Sequence, residues 1–493
     1  MLLILIPIRN YIGKTGMVIA AFFLALSPSF LYYSRFYRED IFISFFTLMV
    51  LVCGIKYAEN IREGRSILRL SYLFLGGVAL ASMAALKENA YIMMALVIFF
   101  MFLLFIREGW YRGFFWRIRN NKILIGEGIF LIIVVLVVFS LFYTGKFLDF
   151  YGMKAAFGRA VSHWYEMHRI QRIGGPWFFY LPIITLYEHP VLIFGALGIA
   201  HYSGCCGRKI EKILIIMLLY WVAVDIMYII SNMRPELSRF LPTTYIASSI
   251  VVFFPLVILG IIAVLKSQNL FFSFLAYWTL TNLAIYSYLQ EKVPWLVLNP
   301  LLPLAIIAAA YLGELLSGIK LNSRTGAAII IILAVSSSYF VYSSLLLNYY
   351  NYTDPAEPLI QAAQPPQKFS LFIDKINEIS RQYQNQSTEI QVTDTDMETQ
   401  FLWYLRHFTN VQWKVSIESE LNAPLIVVHD SDDKHEPDIV KSRLRVDYER
   451  LDSAKMSWYW FAPSDITPKY LLFRKMDKPP GEYRVVLFYK PKD

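Results

Sequence analysis

The sequence predicts a mainly α protein: a polytopic bundle of about eleven transmembrane helices followed by a small extracytoplasmic α/β domain. Composition points there first. Of 493 residues, 57% are hydrophobic and 17% are charged, whereas a soluble domain carries about 25% charge. Patterning agrees, because apolar runs of spanning length recur as far as residue 348. Beyond it the runs shorten, and proline and charge rise in DPAEPLIQAAQPPQK. The expected domains are therefore 1–348 in the membrane and 349–493 outside it.

A helix needs about 20 apolar residues to cross the hydrocarbon core. Runs near that length fall at 15–33, 40–57, 68–86, 90–106, 123–143, 178–200, 211–231, 242–265, 269–289, 296–315 and 326–347. Three intervening loops are strongly basic: Lys56 to Arg69, Arg107 to Lys122, and Arg208 to Lys212. The positive-inside rule places these in the cytoplasm. Loops 34–40, 87–89, 144–177, 232–241 and 288–295, and everything after 348, then face outward. The opening MLLILIPIRNYIGK has too short an apolar stub to cross and no basic start of a signal peptide. It reads as the end of a helix whose beginning lies upstream. In the tail, a helix near 370–384 precedes strand-like EIQV, VQWKVSI, APLIVVHD and YRVVLFYK. Two sequons, Asn351-Tyr352-Thr353 and Asn385-Gln386-Ser387, agree with export.

Several function classes lose support. The net charge of +9 is scattered in short clusters between apolar runs, unlike the single basic stripe of a nucleic-acid binder. The three cysteines, Cys53 and the adjacent Cys205 and Cys206, show no zinc-ligand spacing. P-loop, GxSxG and HExxH motifs are absent from the sequence.

Charge at the expected outer boundary is the main candidate for chemistry. In SRFYRED, Arg35, Arg38, Glu39 and Asp40 crowd a membrane edge, and Asp40 opens the next span. Ionisable groups at such depth are expensive and point to function, and arginine suits bidentate phosphate binding. The bland alternative is a solvated turn with snorkelling arginines. Lys87 joins two spans with almost no loop, as a ligand contact or as an ion pair with Glu88. Lys292 and Trp295, in EKVPW, mark either an anionic-headgroup contact or a capped helix end with an interfacial tryptophan. The loop 144–177 carries His163, Trp164, Glu166 and His168 among aromatics, as an interfacial amphipathic segment or as the wall of a substrate cleft. Within the spans, Glu127 lies early in its run and Asp225 is the one deep carboxylate, as structural groups or as steps of a transport path.

The stretches ALSPSFLYYSRFYREDIFISFFTLM, KENA, WYEMH, GGPWFFYL and YSYLQEKVPWL together resemble membrane glycosyltransferases of the protein O-mannosyltransferase type, the GT-C superfamily. More narrowly they resemble an archaeal branch of flippase-activity-associated proteins of N-glycosylation. The resemblance covers most of 10–310, and WYLRHF in the tail fits it more weakly. It implies a GT-C-like bundle in the cell membrane that moves a sugar from a polyprenyl (dolichyl) phosphate to an exported glycan or protein acceptor. Arg35, Arg38, Lys87 and Lys292 would hold donor phosphate, Asp40 or Glu39 would serve catalysis, and a divalent metal is an open possibility. The family's catalytic carboxylate lies in a first outer loop upstream of Met1, so the chain reads as N-terminally truncated. The alternative is a non-catalytic membrane protein that assists the flipping of lipid-linked sugars.

Overall fold

The computed structural model describes residues 1–36, 38–87, 89–109, 122–149, 162, 179–203, 245–267, 269–289, 292–318, 324–354, 356–360, 365–393, 398–431, 436–444, 447–454, 456–458, 467–475 and 481–491. Two compact units divide the chain, Met1–Asn348 and Tyr349–Asp493.

In the first unit the helices are α1 (Arg9–Leu26, after a 3-10 segment Leu2–Ile8), α2 (Pro28–Arg35), α3 (Glu39–Glu63), α4 (Ser66–Leu86), α5 (Asn89–Arg107) and α6 (Lys122–Tyr143). There follow α7 (Tyr180–Tyr187), α8 (His189–Tyr202), α9 (Tyr245–Lys266), α10 (Leu270–Tyr288), α11 (Leu298–Gly318) and α12 (Arg324–Leu345). Among the described residues, 8 helices are long and apolar enough to cross a membrane, or up to 9 if the bent pair α7 and α8 is one span. This is the pattern of a multi-pass membrane protein. The expected span at 211–231 lies outside the described residues.

Two expected spans differ from the structure for local reasons. At 15–33, the helix stops at Leu26, and Ser27 takes an extended backbone (φ −53, ψ 124) because Pro28 follows it. Ser27 Oγ then accepts from Phe30 N at 3.1 Å and caps α2, with Pro28 at its first position. The apolar stub at the N-terminus, read as too short to cross, joins α1 in a single 25-residue candidate span, Leu2–Leu26, kinked where Gly13 adopts φ 75. At 178–200, the expected single span is two helices bent by 111° at Glu188; Pro190 lies in the first turn of the second.

α11 is the hub. Of the apolar window in Pro294–Gly318, 94% is buried, against 17% in Lys122–Tyr143, whose outer face is apolar and suited to lipid. α1, α8 and α10 pack around α11. Small residues permit this, as at other membrane helix crossings. A Cβ on Gly313 would lie 2.5 Å from Gly16 N, and one on Gly195 would lie 2.4 Å from Leu304 Cδ1. At the end of the bundle where α3 closes and α4 begins, deep polar groups are paired. Glu127 bonds Arg69 at 2.7 Å and Tyr57 at 2.8 Å, so the acid singled out in the sequence belongs to an ion pair. Glu59 bonds Lys56 and Tyr11, each at 2.7 Å.

The second unit is an α/β sandwich around a 6-stranded mixed sheet. Its strands are β1 (Ile390–Val392), β2 (Val411–Trp413), β3 (Leu425–Ser431), β4 (Glu449–Asp452), β5 (Met456–Trp458) and β6 (Gly481–Tyr489). The order is β2-β1-β3-β6-β4, with β5 also on β6. β1 runs parallel to β2 and β3, and β6 is antiparallel to its neighbours. The helices are α13 (Phe369–Arg381), α14 (Glu398–Tyr404), α15 (Glu436–Arg443) and α16 (Pro468–Phe473). Alternation along β3 sends Leu425 and Val427 to a core with Phe369, Phe372 and Phe401, and Ile426 and Val428 to one with Val440 and Phe488. The short β4 and β5 carry no alternation that the sequence reading detects. Of the sequons, Asn385 is exposed on a turn, whereas the Asn351 amide donates to Glu357 at 2.9 Å.

Gly313→Ala is expected to destabilise the bundle by about 1–3 kcal/mol, because backbone cannot yield to the added methyl. Gly54→Ala, with open space around its Cβ, serves as control. Thermal unfolding in detergent, followed by tryptophan fluorescence, compares the two; equal midpoints would remove the close crossing of α1 and α11 from the account.

Candidate functional site

α2 delivers the chain to one end of the bundle. Arg35 occupies its last turn, favourable to the helix dipole, and its Nη1 donates to the Asn348 carbonyl in the π-helical turn Leu346–Tyr350 that follows α12. Asn348 Nδ2 in turn donates to the carbonyls of Ser344 at 3.0 Å and Pro28 at 3.4 Å. Arg38, with extended backbone (φ −90, ψ 146), leads into α3, whose first turn carries Glu39 and Asp40. Acidic groups suit a helix N-terminus.

Asp40 is 1% exposed, and its carboxylate accepts from Lys87 Nζ at 3.1 and 3.4 Å. Lys87 ends α4, so the ion pair ties the start of one span to the end of the next. A buried carboxylate needs such a counter-ion. Above it, the Arg38 guanidinium lies 3.6 Å from the Trp295 ring centroid, and Lys87 Nζ lies 5.6 Å from the same ring. Arg38 Nε and Trp295 Nε1 are buried with no hydrogen-bond partner among the described residues.

Trp295 is presented by the 3-10 turn Pro294–Val297. Just before it, Lys292 is fully buried. Its ammonium donates to the carbonyls of Tyr286 and Ser287, each at 2.8 Å, and of Leu289. Burial pushes the Lys292 ammonium down to about 7, while those carbonyls favour its charged form. These bonds close the C-terminal end of α10, where orphan carbonyls need partners. Tyr180, at the start of α7, donates to the Val293 carbonyl at 3.3 Å and fixes this turn from the other side.

The structure thus gathers Arg38, Asp40, Lys87 and Trp295 within direct contact, with Arg35 one helix end away. Glu39 is separate, exposed on the first turn of α3. His163, Trp164, Glu166 and His168, and the deep acid Asp225, lie outside the described residues. The most consequential residue missed by sequence reasoning is Glu188. It is fully buried at the break between α7 and α8, and its Oε1 accepts from Ser27 Oγ at 2.7 Å and Ser29 N at 3.1 Å. The signal was present in Glu188-His189-Pro190, since proline two positions on marks a helix start. Among the described residues no three His, Cys, Asp or Glu side chains are grouped to hold a metal ion.

Comparison with known proteins finds no matching family model, no similar curated protein and no similar solved structure.

Lys87→Met leaves the Asp40 carboxylate buried without its bonded counter-ion, and the expected loss is about 3–5 kcal/mol. Adding Asp40→Asn to the same chain should restore most of it. Midpoints of thermal unfolding in detergent for the single and double variants test the coupling, and equal losses in both would show that the pair does not hold α3 to α4.

Proposed function

We propose that the chain is a membrane glycosyltransferase that moves a sugar from a polyprenyl-phosphate donor to an exported acceptor at the outer face of the cell membrane. The observation that carries this reading is the meeting of Arg38 and Lys87 on the Trp295 ring, with buried Asp40 paired to Lys87, at the end of the bundle where α3 begins and α4 ends. Arginine matches the geometry of a phosphate. Arg38, oriented by Trp295, and Arg35 would hold the donor phosphate, and Lys87 would offset charge on it as it leaves. The acceptor hydroxyl oxygen attacks the anomeric carbon and the bond to the phosphate oxygen breaks. Polyprenyl phosphate departs with the electron pair, and the hydroxyl proton passes to a carboxylate, Asp40 or Glu39 from the same turn. In this topology the C-terminal unit is extracytoplasmic, where exported acceptors pass. The resemblance of SRFYRED and its companion segments to GT-C enzymes supports the same chemistry.

A second reading has one observation of its own. The 111° bend at buried Glu188 is a discontinuous membrane helix, a feature of transport sites, and it favours a non-catalytic role in flipping lipid-linked sugars.

Reconstituted protein given a radiolabelled polyprenyl-phosphate sugar separates the two. Sugar transfer to an acceptor is expected, with Arg38→Ala and Asp40→Asn each lowering the rate by roughly 100-fold or more at unchanged membrane insertion. Movement of the lipid-linked sugar between leaflets without any transfer would favour the second reading, and full activity in both variants would overturn the site.

A further inference from the structure

We propose that α16 is a membrane-surface foot of the C-terminal unit, whose Leu472 and Phe473, flanked by Lys469 and Lys475, enter the headgroup region of an anionic bilayer. The inference needs only the membrane spans, not the catalytic reading.

The argument begins with the tether. The last candidate span, Gly326–Tyr350, ends within the first residues of the second unit. Six residues further on the chain is fastened to α16. Tyr470 OH donates to the Ala356 carbonyl at 2.7 Å, and Arg474 Nε donates to Glu357 Oε2 at 3.3 Å, with the two charged side chains 1% and 0% exposed. Asn351 Nδ2 bonds the other Glu357 oxygen, and turn bonds from Asp354 N to Asn351 O and from Glu357 N to Asp354 O fold the segment back. Six extended residues reach roughly 20 Å, and these turns shorten that, so α16 stays near the point where the span leaves the bilayer.

The composition of its outer face fits that position. Tyr470 and Arg474, one helical turn apart, face inward and are buried. Leu472 and Phe473 are 53% and 63% exposed, and Lys469 and Lys475 beside them are exposed. Large apolar groups bordered by lysines are the pattern of interfacial segments that bind anionic lipid. The segment leaving the span adds exposed Tyr349, Tyr350 and Tyr352, residues that concentrate at headgroup level. Elsewhere on the unit Trp403 is also exposed, but Arg406 stacks on its ring at 4.2 Å.

The test uses the full chain in nanodiscs of phosphatidylcholine with and without phosphatidylglycerol. A nitroxide-bearing non-canonical residue is placed at 472 or 473, and at exposed Leu371 of α13 as reference. Collision rates with oxygen and with a water-soluble nickel complex report depth. The expected result is an oxygen-to-nickel ratio several-fold higher at 472 and 473 than at 371, rising further with phosphatidylglycerol, the rise being lost in Lys469→Glu/Lys475→Glu. Ratios equal to that at 371 in both lipids would overturn the proposal. So would labels shielded from both reagents, which would mean contact with protein instead of lipid.

Discussion

Every interruption of a helix inside a bilayer must find internal partners for its freed backbone groups, since lipid offers none. Here two interruptions are connected. The break at Ser27 frees the N-terminal amides of α2, and the break at Glu188 supplies a carboxylate that takes Ser29 N–H and Ser27 Oγ. A negative group at a helix N-terminus is also favoured by the helix dipole. This contact fixes where α2 begins, and α2 then sets where Arg35, Arg38 and Asp40 arrive. The arrangement at the end of the bundle therefore rests on one buried glutamate in a distant part of the chain.

Several of the charges described within the bundle are paired. Asp40 is matched to Lys87, Glu127 to Arg69, and Glu59 to Lys56, while Lys292 is enclosed by carbonyls. Paired groups of this kind are tolerable at depth, where a lone charge is costly. What distinguishes the Asp40 end is the pair of cations on Trp295. At the other end the Glu127 and Glu59 carboxylates are bonded by cations and by tyrosine hydroxyls. An aromatic ring holds a guanidinium in place without neutralising it, which leaves its charge available for an anion.

The second unit is an α/β sandwich with two apolar cores. Helices cover both faces of its sheet, so β3 alternates between two apolar cores. Its one fully buried ion pair among the described residues, Glu357 with Arg474, connects the two ends of the unit's sequence. Arg474 adopts φ 52 there, a left-handed backbone found at helix ends, and the pair with Glu357 holds it at the end of α16.

By itself the sequence determined which part of the chain is apolar enough to cross a membrane. Apolar length and charge depletion are local properties, so most of the spans, the shift of composition after residue 348 and the strands β1, β2, β3 and β6 were legible residue by residue. The boundary cluster around SRFYRED was legible too, because a carboxylate opening a span stands out in one dimension. Partner choice was decided only by tertiary structure. Glu188 lies 161 residues from Ser27, and Lys87 lies 47 from Asp40. Lys292 and Arg38 look alike as cations at a helix boundary, yet one is enclosed by carbonyls and the other lies on an indole. Hydropathy reads how far a segment can cross; which side chains meet at its end depends on how helices pack through Gly16, Gly195 and Gly313, and a one-dimensional pattern does not contain that packing.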